Sequence, residues 1–285
     1  MDDVSIVDSH VHLWEVDRLP YAWLEDLPPL NRTHGLAEYD AAVGAAPIEE
    51  IVFVECTEAF DDEVSRREVE WVTGLAEQDP RIRGIVAHAS LEKGDRVREH
   101  LDWLADRPLV KGVRRLLQDE PDAFFGRADV REGLRHLARY DFSFDLTIRA
   151  PQLPAAIDLV DACPEVSFVL DHLGKPRVRA GEIEAWDDGL AALAERPNVV
   201  CKLSGVLTEA DPEAWTVDDV RPYIERAYEH FGPERILFGG DWPVLRLAAD
   251  LPAWLEVLDA VLGELSPAEQ RALYRTTAER VYRLS

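Results

Sequence analysis

The chain has 285 residues, 47% of them hydrophobic, enough for one large core, and no run of roughly 18 consecutive apolar residues that would suggest a membrane-spanning helix. Fifty-six acidic residues against 31 basic ones give a formal net charge of −25, a field that repels nucleic acid and anionic membranes and argues against both as partners. Only Lys93, Lys111, Lys175 and Lys202 are lysines and the acids are scattered along helix-like segments, a surface suited to concentrated salt, where repulsion is screened within about 3 Å, so a halophilic source is expected.

Apolar strand-like runs alternate with amphipathic helix-like segments along the whole chain. The strands fall at residues 4–10, 50–56, 82–88, 109–114, 142–148, 166–171, 199–204 and 235–240. The helices fall at 36–45, 62–77, 95–105, 130–140, 154–162, 184–194, 217–230 and 251–262, with a terminal helix at 267–283. Ser266, Pro267 and Glu269 make a cap for the last one, with the serine at N-cap and proline at the first helical position. Eight such units predict a parallel sheet closed into a (β/α)8 TIM barrel, one domain spanning 1–285. The rival is an open doubly wound sheet, but the first strand is followed by no glycine-rich phosphate-binding turn.

The N-terminus, Met1-Asp2-Asp3-Val4, is acidic and runs straight into a strand. That is unlike a signal peptide, and a cytoplasmic location is expected. Cys56, Cys163 and Cys201 form no CxxC pair and read as buried free thiols. The sequence leaves the oligomeric state open, a homodimer included.

Catalytic groups of such a barrel come from the C-terminal strand ends. Those ends carry His10 and His12, Glu55 and Cys56, His88, Arg114 and Arg115 followed by Gln118, Asp145, Thr147 and Arg149, Asp171 and His172, Lys202 and Ser204, and Asp241 with Trp242. Ionisable groups this frequent at one mouth indicate a site. In the first strand, positions two apart share a face, so Asp8, His10 and His12 are expected to project together, the histidines converging just beyond the strand end. The same alternation means that Arg114 and Arg115 cannot both point inward.

Asp-Ser-His-Val-His-Leu-Trp at 8–14, Lys-Gly-Val-Arg-Arg-Leu-Leu-Gln at 111–118, Asp-His-Leu-Gly-Lys-Pro at 171–176, Cys-Lys-Leu-Ser-Gly at 201–205 and Phe-Gly-Gly-Asp-Trp-Pro at 238–243 occur in this order. The set resembles the amidohydrolase superfamily, and within it the branch of sugar lactonases and pyrone-dicarboxylate lactonase. The resemblance implies His10, His12, His172 and Asp241 as catalytic residues and metal ligands, with Glu55 a further candidate ligand. Dinuclear members add a lysine or glutamate on strand four and a histidine on strand five. Here strand five has no histidine and Lys111 comes early in strand four, which leaves one divalent ion at most. Zn is the first choice for it. Some lactonases of this branch resemble metal-independent enzymes, so action without a metal stays open.

The activity this implies is hydrolysis of a sugar γ-lactone, such as L-rhamnono- or L-fucono-lactone, to its aldonic acid in carbohydrate metabolism. Asp241 would take the proton from water, and His10, His12 and His172 would polarise the carbonyl through a metal or by direct hydrogen bonds. Trp14, Arg114, Arg115, Gln118, Arg149 and Trp242 are the candidate substrate contacts. A metal-dependent decarboxylase of an aromatic or unsaturated acid, using the same four groups, is the alternative within the superfamily. A non-catalytic barrel would be expected to have lost one of the four. The segment 119–127, with Phe124 and Phe125, reads either as a lid or as loop packing.

Overall fold

The computed structural model describes residues 4–284. Among them, eight strands form one parallel sheet ordered as in the chain: β1 Ile6–Val11, β2 Ile48–Val54, β3 Ile82–His88, β4 Val110–Arg114, β5 Ser143–Leu146, β6 Ser167–Leu170, β7 Val199–Leu203 and β8 Ile236–Phe238. The sheet closes where β1 meets the chain just beyond β8. There the Asp241 N–H donates to the His10 carbonyl at 2.8 Å and the His12 N–H to the Trp242 carbonyl at 2.7 Å. Helices cover the outside, and the result is the expected (β/α)8 TIM barrel.

Alternation along the strands separates two apolar layers. Val7, Val52, Val54, Val86, Val169, Val200 and Leu237 pack with one another inside the barrel, joined by Tyr282 and Leu284 from the chain's end. The other strand positions pack against the helices in the larger core. The C-terminal segment therefore closes the barrel floor. It is one continuous rod in the sequence pattern, but the structure breaks it into Pro267–Arg271, a π-helical turn Ala272–Thr276 and Thr277–Tyr282. The Ser266 cap forms as expected: Glu269 N–H donates to Ser266 Oγ at 3.4 Å and Ser266 N–H to Glu269 Oε2 at 2.8 Å.

One local feature of β1 decides the site. Its pairing with β2 slips between Asp8, opposite Ile51, and Val11, opposite Phe53. One extra residue reverses the facing of everything beyond it. The expectation that Asp8 shares a face with the two histidines is thereby corrected. Asp8 points into the helix layer, where its carboxylate accepts from Tyr39 Oη at 2.9 Å and Gly240 N–H at 2.7 Å, while His10 and His12 turn to the interior. Burial raises the Asp8 carboxyl to about 6, against these hydrogen bonds. The cysteines are buried and free, as expected.

Candidate active site

His10, His12, His172 and Asp241 come together at the C-terminal mouth. His10 Nε2 lies 3.2 Å from His12 Nε2. Asp241 Oδ1 lies 3.7 Å from His10 Nε2, 3.6 Å from His12 Nε2 and 3.9 Å from His172 Nε2. All four side chains are nearly or fully buried. Burial holds the His172 imidazole down to about 4, against the pull of Asp241 and Asp171, so the ring is neutral at neutral pH. Burial, with the Lys202 charge beside it, likewise keeps His10 neutral. Burial alone would raise Asp241, but His172, His12 and His10 outweigh it and hold its carboxyl far below the usual range.

Backbone strain positions two of these groups. His172 (φ 53°), Leu173 (55°), Gly174 (70°) and Lys175 (48°) are four successive left-handed residues, and Asp241 (54°) is a fifth. Such a conformation costs an L-residue roughly 1–2 kcal/mol. It persists only where surroundings over-determine it, a condition met often at functional sites. The Trp186 indole holds the turn by donating to the Leu173 carbonyl at 2.8 Å. Ser204 Oγ lies 2.8 Å from His172 Nδ1. Gly205 leaves room for the ring, since a Cβ there would sit 2.6 Å from His172 Nδ1.

Beneath the histidines is a buried charge network that the sequence placed at strand ends without assigning it a role. Lys202, fully buried, has its Nζ 2.5 Å from Asp145 Oδ2, 3.0 Å from Asp171 Oδ1 and 3.2 Å from His10 Nδ1. Tyr282 Oη donates to Asp145 Oδ2 at 2.7 Å, and Thr147 Oγ1 to Asp171 Oδ2 at 2.6 Å. Lys202 and His10 outweigh burial and keep the Asp171 carboxyl well below its ordinary value. A lone lysine in an apolar strand of a lysine-poor chain was the available signal.

His12, His172 and Asp241, but not the fully buried His10, border a cavity of about 200 Å3, also lined by Trp23, Leu27, Cys56, Glu58, Arg114, Leu116, Gln118, Thr147, Lys175, Thr208 and Val244. That is below the ~300 Å3 typical of drug-sized ligands, and fits one small polar molecule. Gln118 faces the cavity as expected and accepts from Lys175 Nζ at 2.5 Å. Lys175, missed from sequence, is a cavity cation whose pKa burial lowers. Arg114 points inward: its Nε donates to Glu55 Oε1 at 2.8 Å, and a second nitrogen donates to the Glu55 carbonyl. Glu55 is thus a partner of Arg114 rather than a member of the convergent donor set.

The remaining expected contacts lie elsewhere. Arg115 points outward to Glu92 and Glu120, at 3.1 and 2.6 Å. Arg149 is half-exposed and pairs with Asp119. Trp14 and Trp242 are fully buried. Trp14 donates to the Arg32 carbonyl at 2.8 Å, and the His34 ring stands edge-on to both indoles. These four do not line the cavity, because their polar groups or ring faces are taken up within the protein. His88 is buried with its ring 3.3 Å from Ser90 Oγ, also off the cavity. In 119–127, Phe124 and Phe125 are buried in a short helix, so this segment packs.

His10, His12 and Asp241 offer ligand atoms within 4.8 Å of one another. A tetrahedral metal site with ~2.0–2.1 Å bonds has donor separations of roughly 3.4 Å, close to the observed 3.2–3.7 Å. The residues present fit one divalent ion.

A family model described as amidohydrolase matches residues 7–284. The chain is 31% identical to the L-fucono-1,5-lactonase of Burkholderia multivorans over 98% of this chain and 96% of that one. It is 24% identical to the L-rhamnono-gamma-lactonase of Scheffersomyces stipitis, covering all of both chains. The crystal structure of a Burkholderia multivorans amidohydrolase with bound zinc superposes with a TM-score of 0.89 at 29% identity, over 99% of this chain and all of that one. With its barrel, its HxH pair and the His172–Asp241 mouth, the chain belongs to the amidohydrolase family.

Proposed function

We propose that this protein hydrolyses a sugar lactone to the corresponding aldonic acid. The observation that carries this reading is the convergence of His10, His12, His172 and the ionised Asp241 carboxylate beside a small cavity that the last three line, in a chain similar end to end to named fucono- and rhamnono-lactonases.

A water held by Asp241 attacks the lactone carbonyl carbon as the carboxylate takes its proton. His12 and His172 face the carbonyl oxygen, where charge develops, with His10 packed directly behind them. The bond from the carbonyl carbon to the ring oxygen then breaks, and the proton on Asp241 passes to the leaving alkoxide. The immediate products are a carboxylic acid and a free hydroxyl, and at neutral pH the acid loses the second of the water's protons to solvent, which is the acid release that the assay follows. Gln118, Lys175 and Thr208 offer hydrogen bonds to substrate hydroxyls from the cavity wall. Zn²⁺, our choice from the N/O donor set and the zinc-bound relative, would be held by His10, His12 and Asp241 with His172 nearby, and would polarise the carbonyl and acidify water.

The test is a panel of L- and D-aldonolactones of both 1,5- and γ-ring size, followed by acid release in weakly buffered indicator at high salt. Turnover on L-6-deoxy lactones is expected. No turnover on any lactone by folded, zinc-supplemented protein overturns the reading in favour of the decarboxylase alternative.

A further inference from the structure

We propose that Glu58 is a specificity-determining residue of the cavity: its carboxylate takes hydroxyl protons of an uncharged polyol lactone, across from Lys175, and turns away lactones that carry a second carboxylate. This role rests on the lactonase reading of the same site and adds the class of lactone that the site admits. Glu58 belongs to none of the sequence motifs that single out the mouth.

The charges on the cavity wall are not all matched. Arg114 is paired with Glu55, and Asp241 lies among the three imidazoles. Lys175 and Glu58, which also line the cavity, are left over. Lys175 Nζ donates to a neutral acceptor, Gln118 Oε1, at 2.5 Å, and among the described residues no carboxylate comes within ion-pair distance of it. The Glu58 carboxylate likewise has no donor or cation at contact distance among these residues. Burial and Glu55 raise its carboxyl against the pull of Arg114 and Lys175, so it lies in the field of both cavity cations without touching either.

A ligand that accepts at Lys175 and donates at Glu58 completes both groups. A hydroxyl can do either, and neighbouring hydroxyls of one sugar do both at once. A carboxylate has acceptors only. It would satisfy Lys175 but bring a like charge up to Glu58, in a space for one small molecule where salt screens weakly.

The backbone fixes this presentation. Glu58 and Phe60 are both left-handed, with φ of 51° and 48°, a conformation that persists only where the surroundings over-determine it. The Arg115 guanidinium carbon lies 4.0 Å from the centre of the Phe60 ring, and the Phe60 carbonyl accepts from Ser90 Oγ at 3.3 Å. Arg115 is itself tied to Glu92 and Glu120. The loop leaving β2 is thus pinned to the loops that follow β3 and β4, and Glu58 is held at the cavity wall by a cation that stays outside it.

The experiment compares full-length, zinc-supplemented wild type with Glu58→Gln at one fixed high salt concentration. The ratio kcat/KM is measured for an uncharged aldonolactone and for the matching lactone carrying a carboxylate at C6. Dissociation constants are measured by calorimetry for the two corresponding lactams, whose amide bond resists opening. Wild type is expected to prefer the uncharged member of each pair. Glu58→Gln keeps the shape and removes the charge, and is expected to narrow that preference by on the order of 10- to 100-fold, chiefly through KM. An unchanged preference in folded Glu58→Gln, or failure of wild type to bind the uncharged lactam, overturns the proposal. Should wild type open no lactone, the lactonase reading falls and the lactam pair still decides the role of Glu58. Turnover with an unchanged preference removes that role alone.

Discussion

The imidazole of His172 rests against Gly205, where any added Cβ would lie 2.6 Å from Nδ1. Gly205 also has φ of 61°, a left-handed position. Gly205→Ala therefore adds strain and pushes the ring from Ser204. We expect a stability loss of about 1–2 kcal/mol from the backbone alone. A ring displaced by 1 Å would lower kcat by on the order of 100-fold. Urea unfolding and steady-state kinetics on the preferred lactone check both.

Asp241→Asn keeps shape but cannot accept a proton. Turnover should fall by roughly 10²- to 10⁴-fold with the circular dichroism spectrum unchanged. Equal turnover would assign the base to another residue.

Arg114 and Glu55 form a buried pair, with Arg114 also 3.7 Å from Asp171. Removing one partner leaves a buried charge, so Arg114→Met should cost about 3–5 kcal/mol. Adding Glu55→Gln should restore part of that loss. A double variant as unstable as the sum of the two single variants would show that the pair is not coupled.

Glu68 supplies a pH dependence away from the cavity. Its Oε1 accepts from Cys56 N–H at 3.2 Å, while Oε2 is buried without a partner. Burial, with Glu55 adding, raises this carboxyl from 4.5 to about 8. The folded state thus favours the proton more than the unfolded state does. Its contribution is fully present below pH 4.5 and is lost as pH rises through about 8, at about 1.4 kcal/mol per pH unit. Glu68→Gln should flatten the urea midpoint across that window and exceed wild type at pH 9. A wild-type midpoint that rises from pH 5 to 9 in parallel with the variant's would count against a neutral Glu68.

A net charge of −25 on a folded chain repels itself, and salt screens that repulsion. The melting temperature should climb steadily from 0.1 to 2 M KCl. A flat response would remove the case for a halophilic source.

Much of this was legible beforehand because it follows from alternation. The third strand, Ile82–His88, and the helices Glu184–Ala194 and Leu251–Leu262 lie where periodicity puts them. Both HxH histidines, His172 and Asp241 converge as their motifs imply. The facing of Asp8 was not legible, since an inserted residue in β1 leaves no mark in the hydrophobic pattern but reverses the strand. Nor were the fates of Trp14 and Trp242: an indole at a strand end can stack on substrate or on other rings, and only packing decides. Lys202 was hidden for a related reason, because its charge is compensated by Asp145 and Asp171, which are distant in sequence.

Tyr282 reaches through the barrel floor to Asp145, which holds Lys202, which in turn touches His10. The first strand and the last helical turn are thus joined through two buried side chains. During synthesis, the chain through Tyr282 must leave the ribosome before His10 acquires its full set of neighbours. A chain missing only its final turn would keep the convergent histidines and Asp241 in its sequence yet lack the cap on Asp145. Assembly of the mouth around His10 is in this way tied to a helical turn at the opposite end of the barrel.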